Sequence, residues 1–125
     1  MKPHHVAEVF SERNVVEYFE NKVLISLCAG VSIATLETHL RGKGRVLRAL
    51  PNTAAKVGKA MTVICRGESA TVEDLAIAQD IFTAVGRCKI IEERLIDVGT
   101  ALASSSPAFH WYYSPASFVF LGVTD

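Results

Sequence analysis

The apolar positions along the chain come in short runs of two kinds, and the two kinds alternate. Val6, Val9 and Phe10, then Val16 and Phe19, recur at helical spacing, which predicts an amphipathic helix over Pro3–Phe19 with proline in its first turn. Val23-Leu24-Ile25-Ser26-Leu27-Cys28 lacks alternation, as a strand covered on both faces would. Gly30 ends that run. Ser32 then stands at the capping position of a short helix whose inner face is Ile33, Leu36 and Leu40. Gly42 and Gly44 bracket a turn.

The same alternation continues downstream. Arg45–Leu50 reads as a second strand stopped by Pro51-Asn52, and Met61–Cys65 as a third ended by Arg66-Gly67. Thr71 and Asp74 have capping spacing, and behind them Leu75, Ala78, Ile81, Phe82 and Val85 form a helical stripe closed by Gly86. Lys89-Ile90-Ile91 is a fourth strand, and Glu92–Ala103 returns to helical character. Strands alternating with helices predict an α/β fold, a parallel sheet with helical crossovers. Past Pro107 neither period survives. Phe109, Trp111, Tyr112, Tyr113, Phe118 and Phe120 crowd there, around Pro115.

Composition narrows the function. The chain has 125 residues, enough for one domain, and half of them are hydrophobic, enough for a core. Thirteen basic residues cancel thirteen acidic ones, so no nucleic-acid partner is expected, and the aromatic tail reads as an unpacked or partner-seeking segment rather than as a base-stacking platform. No run of roughly 18 apolar residues predicts a membrane span. Cys28, Cys65 and Cys88 are too few and too scattered for a disulfide framework or a zinc site. Cys28 and Cys65 fall in apolar runs and read as core. A reduced compartment, the cytoplasm, fits best, with the mitochondrion left open. His4 and His5 are adjacent on a helix and point apart, so no metal site is expected. The glycine-rich GxGxxG phosphate cradle occurs nowhere in the sequence.

The run Arg48-Ala49-Leu50-Pro51-Asn52-Thr53, followed by Val57-Gly58 and Met61-Thr62, resembles the pyrroline-5-carboxylate reductase family. Lys2-Pro3, Ile25-Ser26 with Ala29-Gly30-Val31-Ser32, Ala84-Val85-Gly86, Glu92-Glu93, Leu95-Ile96-Asp97, Thr100 and the stretch Ala103–Ala108 continue the resemblance, in one order, over residues 2–109. It implies NAD(P)H-dependent reduction of 1-pyrroline-5-carboxylate to L-proline, with NADP or NAD as cofactor. The partner implied is a small-molecule substrate, in a family that is usually homo-oligomeric. It also implies the back half of a Rossmann-type domain over 1–91, the start of a helical domain over 92–109 and a divergent aromatic tail over 110–125. The chain would then be a shortened member lacking the glycine-rich opening unit and most of the dimer-forming helices. A non-catalytic shortened member that pairs with another protein is the alternative.

By the same resemblance Lys2, Pro3, Ala29, Gly30 and Asn52 would line the cofactor, and Glu93, Ser105 and Pro107 the substrate. Read from the residues alone, Lys2 and Pro3 are a frayed terminus, Ala29-Gly30 and Pro51-Asn52-Thr53 are ordinary turns, and Glu93 is a solvated first-turn carboxylate. Two departures stand out. Ala54 replaces a family proline, and Ser104 and Ser106 replace two family glycines, where a side chain adds strain or a clash.

Overall fold

The computed structural model describes residues 4–11 and 15–102. Two short helices, α1 (His4–Ser11) and α2 (Val15–Tyr18), precede the first strand, β1 (Val23–Ser26). The chain continues through α3 (Ile33–Leu40), β2 (Arg45–Pro51), a 3₁₀ turn (Thr53–Val57), β3 (Ala60–Arg66), α4 (Val72–Thr83) and β4 (Gly86–Ile90). A second 3₁₀ turn (Glu93–Leu95) leads into α5 (Ile96–Thr100).

The strands lie in the order β1-β2-β3-β4. The α/β class and the helical crossovers are as expected, but the sheet is mixed rather than parallel throughout. β1 pairs parallel with β2 through α3, and β3 pairs parallel with β4 through α4, whereas β2 and β3 are antiparallel. Connection length decides this. A parallel crossover needs about a dozen residues, and only residues 52–59 separate β2 from β3. The 3₁₀ turn fits that gap, closed by Gly58 at φ 70°, and sends the chain straight back.

Two cores sandwich the sheet. On one face Val46, Leu50, Val63 and Cys65 meet Val6 and Phe10 of α1, Ile33, Leu36 and Leu40 of α3, and Ile96 of α5. On the other Leu47, Ala49 and Ile64 meet Ala78 and Phe82 of α4. β2 and β3 are therefore buried on both sides, which is why their runs do not alternate. β1 departs from its expected double cover: Val23, Leu24 and Ile25 are only half-buried and Leu27 is 56% exposed. It is an edge strand among the described residues.

The expected caps form. Ser32 Oγ accepts the Thr35 N–H at 3.1 Å. At α4 the Thr71 hydroxyl accepts the Asp74 N–H at 3.2 Å, and Asp74 Oδ2 accepts the Thr71 N–H at 2.9 Å, a complete capping box. Asp74 also grips Arg45 at the start of β2, through Nε at 2.6 Å and Nη2 at 3.2 Å. Gly86 was expected to close α4. Instead α4 ends at Thr83 with Ala84 as its C-cap, and Gly86 opens β4 at φ 155°. A Cβ there would lie 2.1 Å from the Ala60 carbonyl oxygen, so glycine is what lets β4 approach β3. The single helix expected over Pro3–Phe19 has α1 and α2 within its span, and Pro3 lies outside the described residues. The helix expected over Glu92–Ala103 begins instead as a 3₁₀ turn.

Two outcomes follow from this framework. Gly86→Ala should cost roughly 3 kcal/mol in urea unfolding, because the new methyl meets backbone on both sides of Ala60 in a backbone region unfavourable to alanine. The Arg45 guanidinium, with the Thr71 N–H, holds the Asp74 carboxyl below its ordinary range. A depressed folded value means that the contribution is present above the unfolded value, near about 4. It is lost as pH falls through the folded value. Unfolding midpoints across the acid range should fall more steeply for the unaltered chain than for Asp74→Asn.

Candidate functional site at the strand tips

The parallel pairing of β1 with β2 fixes where the candidate residues go. Ser26 stands opposite Arg48. β1 ends there; Ala29 and Gly30 form a turn that starts three residues past its carboxyl end, and Asn52 follows the carboxyl end of the adjacent parallel strand β2. Such an edge is where α/β sheets take their ligands. Ala29 and Gly30 are exposed, and Gly30 turns at φ 75° with open space around the position a Cβ would take. Glycine is needed there for conformation rather than for room. Asn52 is half-buried, and its Oδ1 accepts the Met61 N–H at 3.2 Å. It thereby closes the β2–β3 link, so the turn-forming reading of Asn52 holds whatever else it touches.

Glu93 arrives from the far end of the chain. Its Oε1 accepts the N–H of Ile33, the first residue of α3, at 2.7 Å and a hydrogen bond from Arg48 Nη1 at 2.9 Å. The carboxylate therefore sits three residues beyond Gly30, beside the β1 tip, and is not the freely solvated side chain of the bland reading. Its side chain is 35% exposed and that of Arg48 4%. Lys2, Pro3, Ser105 and Pro107 lie outside the described residues.

Arg48 is the residue that sequence reasoning passed over as one letter of a strand. A charge flanked by Val46, Leu47, Ala49 and Leu50 in an unalternating run demands a buried counter-charge. That was the signal, and its answer lies 45 residues away in Glu93. Cys65 faces Arg48 across the β2–β3 ladder. Burial pushes its thiol up to about 11, against the pull of Arg48, which fits the expected core role rather than a nucleophile. An apolar cleft of about 170 Å³ opens between Phe10 of α1, Leu36 of α3 and the end of β1, where Ser26 and Cys28 border it. Among the described residues no cluster of three His, Cys, Asp or Glu side chains could hold a metal ion, and no helix is long and apolar enough to cross a membrane.

No protein-family model matches the chain. Individual proteins do. The pyrroline-5-carboxylate reductase of Schizosaccharomyces pombe is 38% identical over 108 residues, 86% of this chain and 38% of that protein. The enzyme of Methanosarcina acetivorans is 41% identical over 109 residues, 87% of this chain and 40% of that protein. Among solved structures, the Plasmodium falciparum pyrroline carboxylate reductase with NADP bound superposes with a TM-score of 0.82 at 28% identity, over 90% of this chain and 44% of that one. Over most of its length this chain is similar to pyrroline-5-carboxylate reductases. It spans about two fifths of the length of the relatives it matches.

The Ala29-Gly30 turn is exposed, with open space beside Gly30, and the sequence contains no glycine-rich phosphate cradle. The junction of Glu93 with Arg48 and Ile33 makes its own prediction. Glu93→Gln keeps the shape but leaves the Arg48 guanidinium without a counter-charge, and should cost about 2 kcal/mol in urea unfolding, less than a fully buried pair because Glu93 is partly solvated. Adding Arg48→Met to that variant should recover part of the loss.

Proposed function

We propose that this chain carries the nicotinamide side of a pyrroline-5-carboxylate reductase site, for NAD(P)H-dependent reduction of 1-pyrroline-5-carboxylate to L-proline. What carries the reading is that Ala29-Gly30 and Asn52 each follow the carboxyl end of one of two paired parallel strands, with Glu93 bound to Ile33 and to Arg48, the β2 partner of the last β1 residue. The similarity in sequence and shape to reductases, one of them with NADP bound, supports it.

The nicotinamide, when bound, supplies the hydride, so the protein's task is placement and electrostatics. Ala29 and Gly30 offer backbone without bulk against a flat ring. Asn52 keeps the β2–β3 link folded so that the neighbouring strand tip holds its place. Glu93 has Oε1 committed to Ile33 and Arg48. Its Oε2 is then the atom offered to a cationic ring nitrogen, a charge-assisted contact. Arg48 keeps that carboxylate oriented.

The missing phosphate cradle sets the expected strength. The 125-residue chain should bind NADPH weakly and should not by itself oxidise it with pyrroline-5-carboxylate. Protein-dependent NADPH oxidation by the purified chain would overturn the half-site reading in favour of a complete enzyme. Binding tests the reading itself. Millimolar NADPH should shift the amide resonances of Ala29, Gly30 and Asn52, while ADP-ribose, which lacks the nicotinamide, should leave them in place. Absence of any shift, or equal shifts with both compounds, would contradict it.

A further inference from the structure

The Arg48 guanidinium is held in the middle of β2, in the layer of Val46, Leu50 and Cys65. It carries its charge where solvent cannot reach it, and the Arg48 Nε makes no hydrogen bond. The first N–H of α3, an eight-residue helix, points at the same spot, and helix geometry leaves that group without a partner inside the helix. Both donors converge on one atom, Oε1 of Glu93, at 2.7 and 2.9 Å. So the positive side of this junction belongs to rigid elements and has a donor to spare. The negative side is a single, partly exposed side chain on a three-residue 3₁₀ turn.

We propose that Arg48 and the N-terminus of α3 form a carboxylate-binding seat, of which Glu93 is the resident and exchangeable ligand. The seat is defined by the strand and the helix, not by the turn that fills it. A free small carboxylate therefore occupies it whenever the Glu93 side chain is gone. Truncation at Cβ removes the equivalent of one acetate ion, so acetate matches the space. Untethered, it can also turn an oxygen toward Arg48 Nε, which Glu93 leaves unpaired. In the unaltered chain Glu93 fills the seat, and a free carboxylate takes it only in competition with that tethered side chain. This inference is independent of the reductase reading, because it concerns only the chain's own charges.

The test is thermal unfolding of Glu93→Ala in sodium acetate and in sodium chloride of equal ionic strength. Acetate should raise the midpoint saturably, by roughly 5 °C at concentrations well above its dissociation constant, with the Ile33 amide resonance moving along the same curve. Chloride should do neither, and Glu93→Ala with Arg48→Met should lose the response. Equal effects of the two salts, or an acetate effect that survives in the double variant, would overturn the proposal. If Glu93→Ala does not fold in chloride, dilution from urea into acetate should restore its structure, and failure in both salts would likewise overturn it.

Discussion

A guanidinium buried in a sheet must find a negative partner, and this requirement organises the carboxyl end of the molecule. Arg48 is locked in place by β2, which is covered on both faces. Its charge can be balanced only by something brought over the sheet. Glu93 does this from the turn after β4, and the same oxygen takes the first N–H of α3. One carboxylate thus ties together a strand, a helix start and the turn leading into α5. Ile96, buried at the head of α5, packs into the same core and holds the turn from its other side. The second ion pair, Arg45 with Asp74, plays a comparable part on the opposite face by fastening the α4 cap to the start of β2. The two differ in what they leave over: the Arg45 fork is matched by both Asp74 oxygens, whereas Arg48 retains an unpaired N–H.

The architecture is two parallel strand–helix–strand units turned against each other. The short link through Thr53–Val57 allows no other arrangement, and it sets the end of β2 beside the start of β3. Asn52 seals that corner through Met61. At the other end of β3 the chain leaves for α4, and it returns along β4 only because Gly86 lets two backbones come close. The candidate site therefore rests on parts with different physical origins: a parallel pairing for Ala29-Gly30, a reversal for Asn52 and an ion pair for Glu93.

Much of this was legible from residues in a row. The Ile33, Leu36 and Leu40 stripe behind Ser32, and the Thr71–Asp74 box, are local chemistry, and they appear where the pattern put them. Ala29-Gly30 and Asn52 each follow the carboxyl end of a strand, and two neighbouring apolar runs became neighbouring parallel strands. The antiparallel middle of the sheet was missed because alternation of strands and helices says nothing about a link that has no room for a crossover helix. Gly86 looked like a helix stop because its real constraint, the backbone at Ala60, is distant in sequence. The Glu93 partnership was invisible for the same reason, although Arg48 within an apolar run announced that a partner existed. Lys2, Pro3, Ser105 and Pro107 fall outside the described residues, so their expected roles rest on resemblance.

The central claim is that the Glu93 carboxylate clamps the α3 N-terminus to Arg48 in the folded protein. Native-state hydrogen exchange at the Ile33 amide reads that clamp directly. The first N–H of a short helix has no helical partner and ordinarily exchanges fast. Here it should exchange nearly as slowly as the amides at the centre of β3, and in Glu93→Gln it should speed up well beyond the change seen at Ile64. Rapid exchange at Ile33 in the unaltered chain would contradict the account.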